Sequence, residues 1–78
     1  MQHITTIGLD LAKRVFQVHG MDHEGQPVLR KKVSRGQVLK LLATFPPCLV
    51  GMEACGSAHY WAREIRAQGH EVRLIPPH

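Results

Sequence analysis

The stretch Val50-Gly51-Met52-Glu53-Ala54-Cys55-Gly56 (VGMEACG) decides how the rest of the chain is arranged. With Cys48 and Leu49 before it, it forms a short, nearly all-apolar run, as expected of a strand buried on both faces. An acid, Glu53, ends the run. Upstream, Val38, Leu41, Leu42 and Phe45 recur at helical spacing, with Ser34 as the expected N-cap and Pro46-Pro47 as the stop. Downstream, Gly56-Ser57 opens a second helix whose stripe is Ala58, Trp61, Ala62 and Ile65. Gly69 stands where a C′ glycine belongs, and Glu71 to Ile75 reads as a last strand.

The first third of the chain has a different period. Ile4 to Leu11 is apolar and β-branched. Arg14 to Met21 alternates, with Phe16 and Val18 on one face and Val15, Gln17 and His19 on the other. Pro27 to Val33 follows the turn Asp22-His23-Glu24-Gly25-Gln26, whose Asp and Gly suit a hairpin loop. Connections this short predict an antiparallel meander of three strands. Its third member carries Arg30, Lys31 and Lys32, which suits an edge strand because lysine discourages pairing with other chains. The element order is therefore β-β-β-α-β-α-β, an α/β pattern with a mixed sheet.

The bulk numbers agree with one small domain over residues 1–78. The chain has 78 residues and is 44% hydrophobic, too short for two cores. Ten Lys+Arg against six Asp+Glu give a formal charge of +4, which favours anionic partners. No apolar stretch is long enough to span a membrane, and Met1-Gln2-His3 leads into a strand without a basic leader, so a cytoplasmic protein is expected. Cys48 and Cys55 lack metal-site spacing and read as reduced thiols. The six histidines (His3, His19, His23, His59, His70, His78) are scattered and read as surface or spacer residues. The ending Ile75-Pro76-Pro77-His78 brings no further capped helix, so the domain is expected to be incomplete at its C-terminus.

A second acid makes Glu53 interesting. In Ile7-Gly8-Leu9-Asp10-Leu11-Ala12-Lys13 (IGLDLAK), Asp10 ends the first strand as Glu53 ends the fourth. Ligands of open α/β sheets bind outside the carboxyl ends of strands. If the fourth strand lies parallel beside the first, strand spacing of about 4.8 Å lets both acids share one cation. If it lies beside the third strand, the separation rises to about 14 Å and no shared site exists. The first arrangement is preferred, because it puts the apolar strand at the centre and the lysines on the edge. Two carboxylates suit a hard cation, Mg²⁺ or Mn²⁺, and a pair of ions about 3.5–4 Å apart suits phosphodiester chemistry. Asp22 and Glu24 lie in the hairpin turn, at the wrong end of the sheet, and Glu64 and Glu71 read as solvated. The bland alternative is a turn-forming Asp and a helix N-terminal Glu. Arg30, Lys31, Lys32 and Arg35, together with Lys13 and Arg14, are candidate phosphate contacts; the alternative is a solvated edge. Trp61 reads as core, and Tyr60 stays open between surface and stacking roles.

IGLDLAK, followed by GMEACGSAHYWAREIRAQGHEVRLIPP, resembles the N-terminal domain of the IS one-ten family transposases, also called DEDD transposases, which are relatives of the Piv-type DNA invertases. The likeness runs through the whole chain in order and spacing. It implies a RuvC-like domain with an RNase H fold and the fourth strand beside the first. It implies an acidic tetrad whose first Asp falls on Asp10 and whose Glu falls on Glu53, holding two Mg²⁺ or Mn²⁺ ions in the complete site. The other two aspartates and a separate C-terminal domain have no position in these residues. The parent protein would be a DNA recombinase acting in transposition with a structured RNA as guide, and the chain alone would be inactive.

Two rivals come from other classes. Actin-like ATPases and sugar kinases also start with a strand, an Asp and a hairpin, but carry glycine after the Asp to bring backbone N–H groups to phosphate. Leu11-Ala12-Lys13 has none. A non-catalytic nucleic-acid-binding or assembly module, able to form homo-oligomers through an open sheet, is the other.

Overall fold

The computed structural model describes residues 3–76. Seven elements follow in the expected order: β1 (Thr6–Asp10), β2 (Val15–Met21), β3 (Pro27–Ser34), α1 (Val38–Ala43), β4 (Leu49–Glu53), α2 (Ala58–Ala67) and β5 (Glu71–Ile75). The five strands form one mixed sheet in the order β3-β2-β1-β4-β5. β1 to β3 are the antiparallel meander, and β4 and β5 add in parallel. The fourth strand thus lies beside the first, as preferred from sequence. Pro77 and His78, on which the expectation of an incomplete C-terminus rests in part, lie outside the described residues, as do Met1 and Gln2.

Both helices cover the same face of the sheet. Ile7 and Leu9 of β1, Phe16 and Val18 of β2, and Val50 and Met52 of β4 form one buried cluster with Val38 and Leu42 of α1 and Ala58, Trp61, Ala62 and Ile65 of α2. Alternation then places Gly8, Asp10, His19, Gly51 and Glu53 on the opposite, uncovered face. The expectation that β4 is buried on both faces is therefore corrected: Leu49 and Gly51 are only half-buried. An all-apolar composition says that a strand is central. It does not say that both of its faces are covered.

The first helix is also shorter than its apolar spacing predicts. Ser34 is not its cap but the last residue of β3, paired with Val15. The Gln37 N–H donates to the Ser34 carbonyl at 2.9 Å, so the chain makes a turn before α1 begins, and Gln37 is the N-cap. Sheet pairing has claimed the residue that local propensity assigned to the helix. The hairpin turn behaves as expected. Asp22 Oδ1 accepts from the N–H groups of Glu24 and Gln26 at 2.9 and 3.0 Å, and Gly25 takes φ of 78°. Gly69, with φ of 99°, terminates α2 and its N–H donates to the Arg66 carbonyl.

Gly20 shows how tightly the meander closes. A Cβ there would stand 2.9 Å from Ile4 Cδ1 and 3.1 Å from Leu29 Cβ. The isoleucine tip can swing away, but the leucine Cβ is fixed to its backbone. Gly20→Ala should destabilise the fold by about 1–3 kcal/mol, the cost of overpacking, read as a lowered urea midpoint with an unchanged slope.

Candidate functional site

Asp10 and Glu53 reach the same place because of register. Leu9 pairs with Met52 on adjacent parallel strands, so the next residue of each, Asp10 and Glu53, stand side by side. Neighbouring strands lie about 4.8 Å apart. Both acids are exposed at the carboxyl ends of their strands and line one open groove of about 430 Å³ with Gly8, His19, Gly51 and Ile75. The groove exists because β1 and β4 place glycine opposite glycine directly below the carboxylates: Gly8 pairs with Gly51. The two ion pairs found among the described residues, His23–Glu24 and Glu71–Arg73, leave both carboxylates uncommitted.

Among the described residues no set of three or more His, Cys, Asp or Glu side chains is placed to hold a metal ion. Two hard carboxylates nevertheless fit part of a Mg²⁺ shell, because that ion keeps several waters and takes one or two carboxylates plus substrate oxygens. His19 lines the groove but belongs to no such set.

The basic residues separate. Lys31 and Lys32 line a groove of about 460 Å³ between β3 and α1. Lys13 and Arg35 line another, about 440 Å³, with Cys55, Gly56 and Ser57 at the start of α2. The Arg35 guanidinium lies 5.7 Å from the centroid of the Trp61 ring, a cation–π contact that draws it away from the lysines. Arg30 pairs across to His19, and Arg14 is exposed before β2, where its carbonyl accepts the Arg35 N–H at 3.0 Å. The run Arg30-Lys31-Lys32-Arg35 is therefore not one patch. Lys40, which is not among the candidates read from sequence, lines the same groove as Lys31 and Lys32.

One histidine reading is corrected. His70 is neither surface nor spacer: it is buried, 5% exposed. The Cys48 N–H donates to its Nδ1 at 3.1 Å, and Nε2 lies 2.9 Å from the Leu42 carbonyl. Since Nδ1 must accept, the ring hydrogen sits on Nε2 and donates to Leu42. The imidazole thus joins the last turn of α1 to the start of β4. Cys48 is buried beside it, and burial pushes its thiol up, which leaves it protonated and inert at neutral pH. Tyr60 is 47% exposed and meets Trp61 edge-to-face at 5.1 Å, which places it on the surface.

Comparison with known proteins gives this geometry a context. No family model matches the chain. Over 75 residues, 96% of the chain, it is 60% identical to a probable family 20 transposase of Pseudomonas aeruginosa. It is 48% identical over 77 residues to the transposase for insertion sequence element IS1328 of Yersinia enterocolitica, and 38% identical over 77 residues to that for IS1111A of Coxiella burnetii. By sequence the chain is similar, over nearly its whole length, to proteins named as transposases. It covers 22%, 23% and 21% of these three transposases respectively, about a fifth of their length. No helix among the described residues is long and apolar enough to cross a membrane.

Proposed function

We propose that this chain is part of a transposase of the IS one-ten type and supplies half of a metal-dependent site for phosphodiester chemistry on DNA, within an RNase H-like (RuvC-like) domain of the DEDD type. The observation that carries the reading is the placement of Asp10 and Glu53 next to each other at the carboxyl ends of two parallel central strands. Such ends are where open α/β sheets bind ligands. Asp10 and Glu53 would hold Mg²⁺ or Mn²⁺, and the ion would polarise a phosphoryl oxygen and stabilise charge as the bond breaks. The residues themselves contribute the negative charge, the fixed separation and, through Gly8 and Gly51, the room for a strand to approach.

Two carboxylates are too few to clamp both the attacking and the leaving oxygen, so further acids must come from outside these residues. The chain alone is proposed to lack strand cleavage. DNA as substrate, a structured RNA as guide and a cytoplasmic setting belong to the same proposal. The strand order and the relatives support it.

Mn²⁺ titration of the ¹⁵N-labelled chain tests the shared site. Amide signals around Asp10 and Glu53 should broaden together, and Asp10→Asn with Glu53→Gln should abolish the effect. Broadening of one strand end without the other would refute a common ion.

A further inference from the structure

We propose that the groove between β3 and α1 grips the phosphodiester backbone of a nucleic-acid strand that leads across the sheet toward Asp10. The inference rests on the nucleic-acid reading above and adds where the strand runs and what holds it.

Charge is the first argument. Five of the ten Lys+Arg residues (Arg30, Lys31, Lys32, Arg35 and Lys40) fall on the β3–α1 unit, and no Asp or Glu occurs from Gly25 to Met52. Lys31 and Lys40 line one groove on the helix side, Lys32 borders it from the edge of β3, and Ser34 and Gln37 add neutral donors. Neither of the ion pairs named above involves them. Three like charges along one margin of the sheet, without a counter-charge among the ion pairs named, favour a polyanion there.

Register is the second. Lys32 pairs with Gln17, and Gln17 pairs with Asp10. The three share one row on the uncovered face, with Lys32 about 10 Å from Asp10 at the spacing of two strands. Lys31, paired with Val18, points to the helix side, so the two lysines flank the edge of β3 and Lys40 closes the groove from α1. As the outermost strand of the sheet, β3 leaves outward backbone N–H groups as further donors.

The lining also says what is read. No aromatic residue lines the groove, so it offers no stacking platform for bases. Lysine meets phosphate as a point charge, and such contacts position a strand without reading its sequence.

The test is fluorescence anisotropy of the chain, in EDTA, against a labelled single-stranded DNA, a DNA duplex and an RNA hairpin over a range of salt. Lys31→Gln/Lys32→Gln/Lys40→Gln should weaken binding by about tenfold or more at low salt and flatten the log K against log salt slope by about 2 for a single strand. Arg63→Gln, exposed on α2, should change neither, and circular dichroism should show every variant folded. The polymer that loses most identifies the strand. An unchanged slope in the triple variant overturns the proposal, as does absence of binding to all three polymers, or equal displacement by a poly-glutamate peptide. Asp10→Asn/Glu53→Gln removes two negative charges from the path and should not weaken this metal-free binding, so failure of the metal site and failure of the groove are separate results.

Discussion

Trp61→Ala is expected to lower the unfolding free energy by about 3–5 kcal/mol, the usual cost of deleting a buried large aromatic. A domain of this size holds on the order of 5–10 kcal/mol in total, so the variant should be at or near the unfolding threshold. Three contacts concentrate the effect on one ring. Trp61 is 4% exposed, packs edge-to-face against Phe16 at 5.0 Å, and lies under the Arg35 guanidinium. It therefore ties α2 to β2 and to the turn before α1. Its Nε1, however, is buried without a partner. Trp61→Phe discards that unsatisfied donor while keeping most of the apolar area, so it should cost much less than the alanine change. Urea unfolding of both variants decides the matter; equal losses would mean that ring volume is not what holds α2 to the sheet.

The second large effect should come from His70→Ala. The Cys48 N–H then loses its partner, and the Leu42 carbonyl keeps only the Phe45 N–H, at 3.3 Å. At about 1–3 kcal/mol for the buried N–H left unsatisfied and about 1 kcal/mol for the second hydrogen bond lost, the loss should reach about 2–4 kcal/mol. The measurement is an unfolding curve together with the exchange rate of the Cys48 amide. That amide should become one of the fastest in the interior even in conditions where β4 and β5 stay paired. His70→Phe, which fills the space but cannot accept, should expose the same amide and recover only the packing part.

These two residues also mark how far the sequence could be read. Trp61 was placed in the core from helical spacing, and the core agrees. Strand order, the two acids of one groove and the edge position of Lys31 and Lys32 follow from patterning and from the rule that charged strands stay outside. Asp10 and Glu53 were paired on the strength of that order alone. His70 left no such signal. Its partners are distant in sequence, and only the folded sheet brings Cys48 and Leu42 to its two nitrogens. Lys40 gives no signal either, because nothing in a one-dimensional pattern shows which strand a helix face overlooks. Ser34 was misassigned because its hydroxyl suits a cap, whereas the ladder with Val15 took its backbone. The bare face of the sheet was missed for a related reason: glycine at 8 and 51 says nothing in sequence about which side is open.

The position of β3 at one end of the sheet and of β1 and β4 inside it has a mechanical consequence. β1 and β4 are flanked by hydrogen-bonded neighbours on both sides, whereas β3 has one. Local opening is easiest where fewer bonds must break. The carboxylates therefore ride on the stiffest part of the molecule, and Lys31 and Lys32 on its most compliant margin. The edge can yield to the shape of whatever it meets while the strands that carry the two acids keep their spacing.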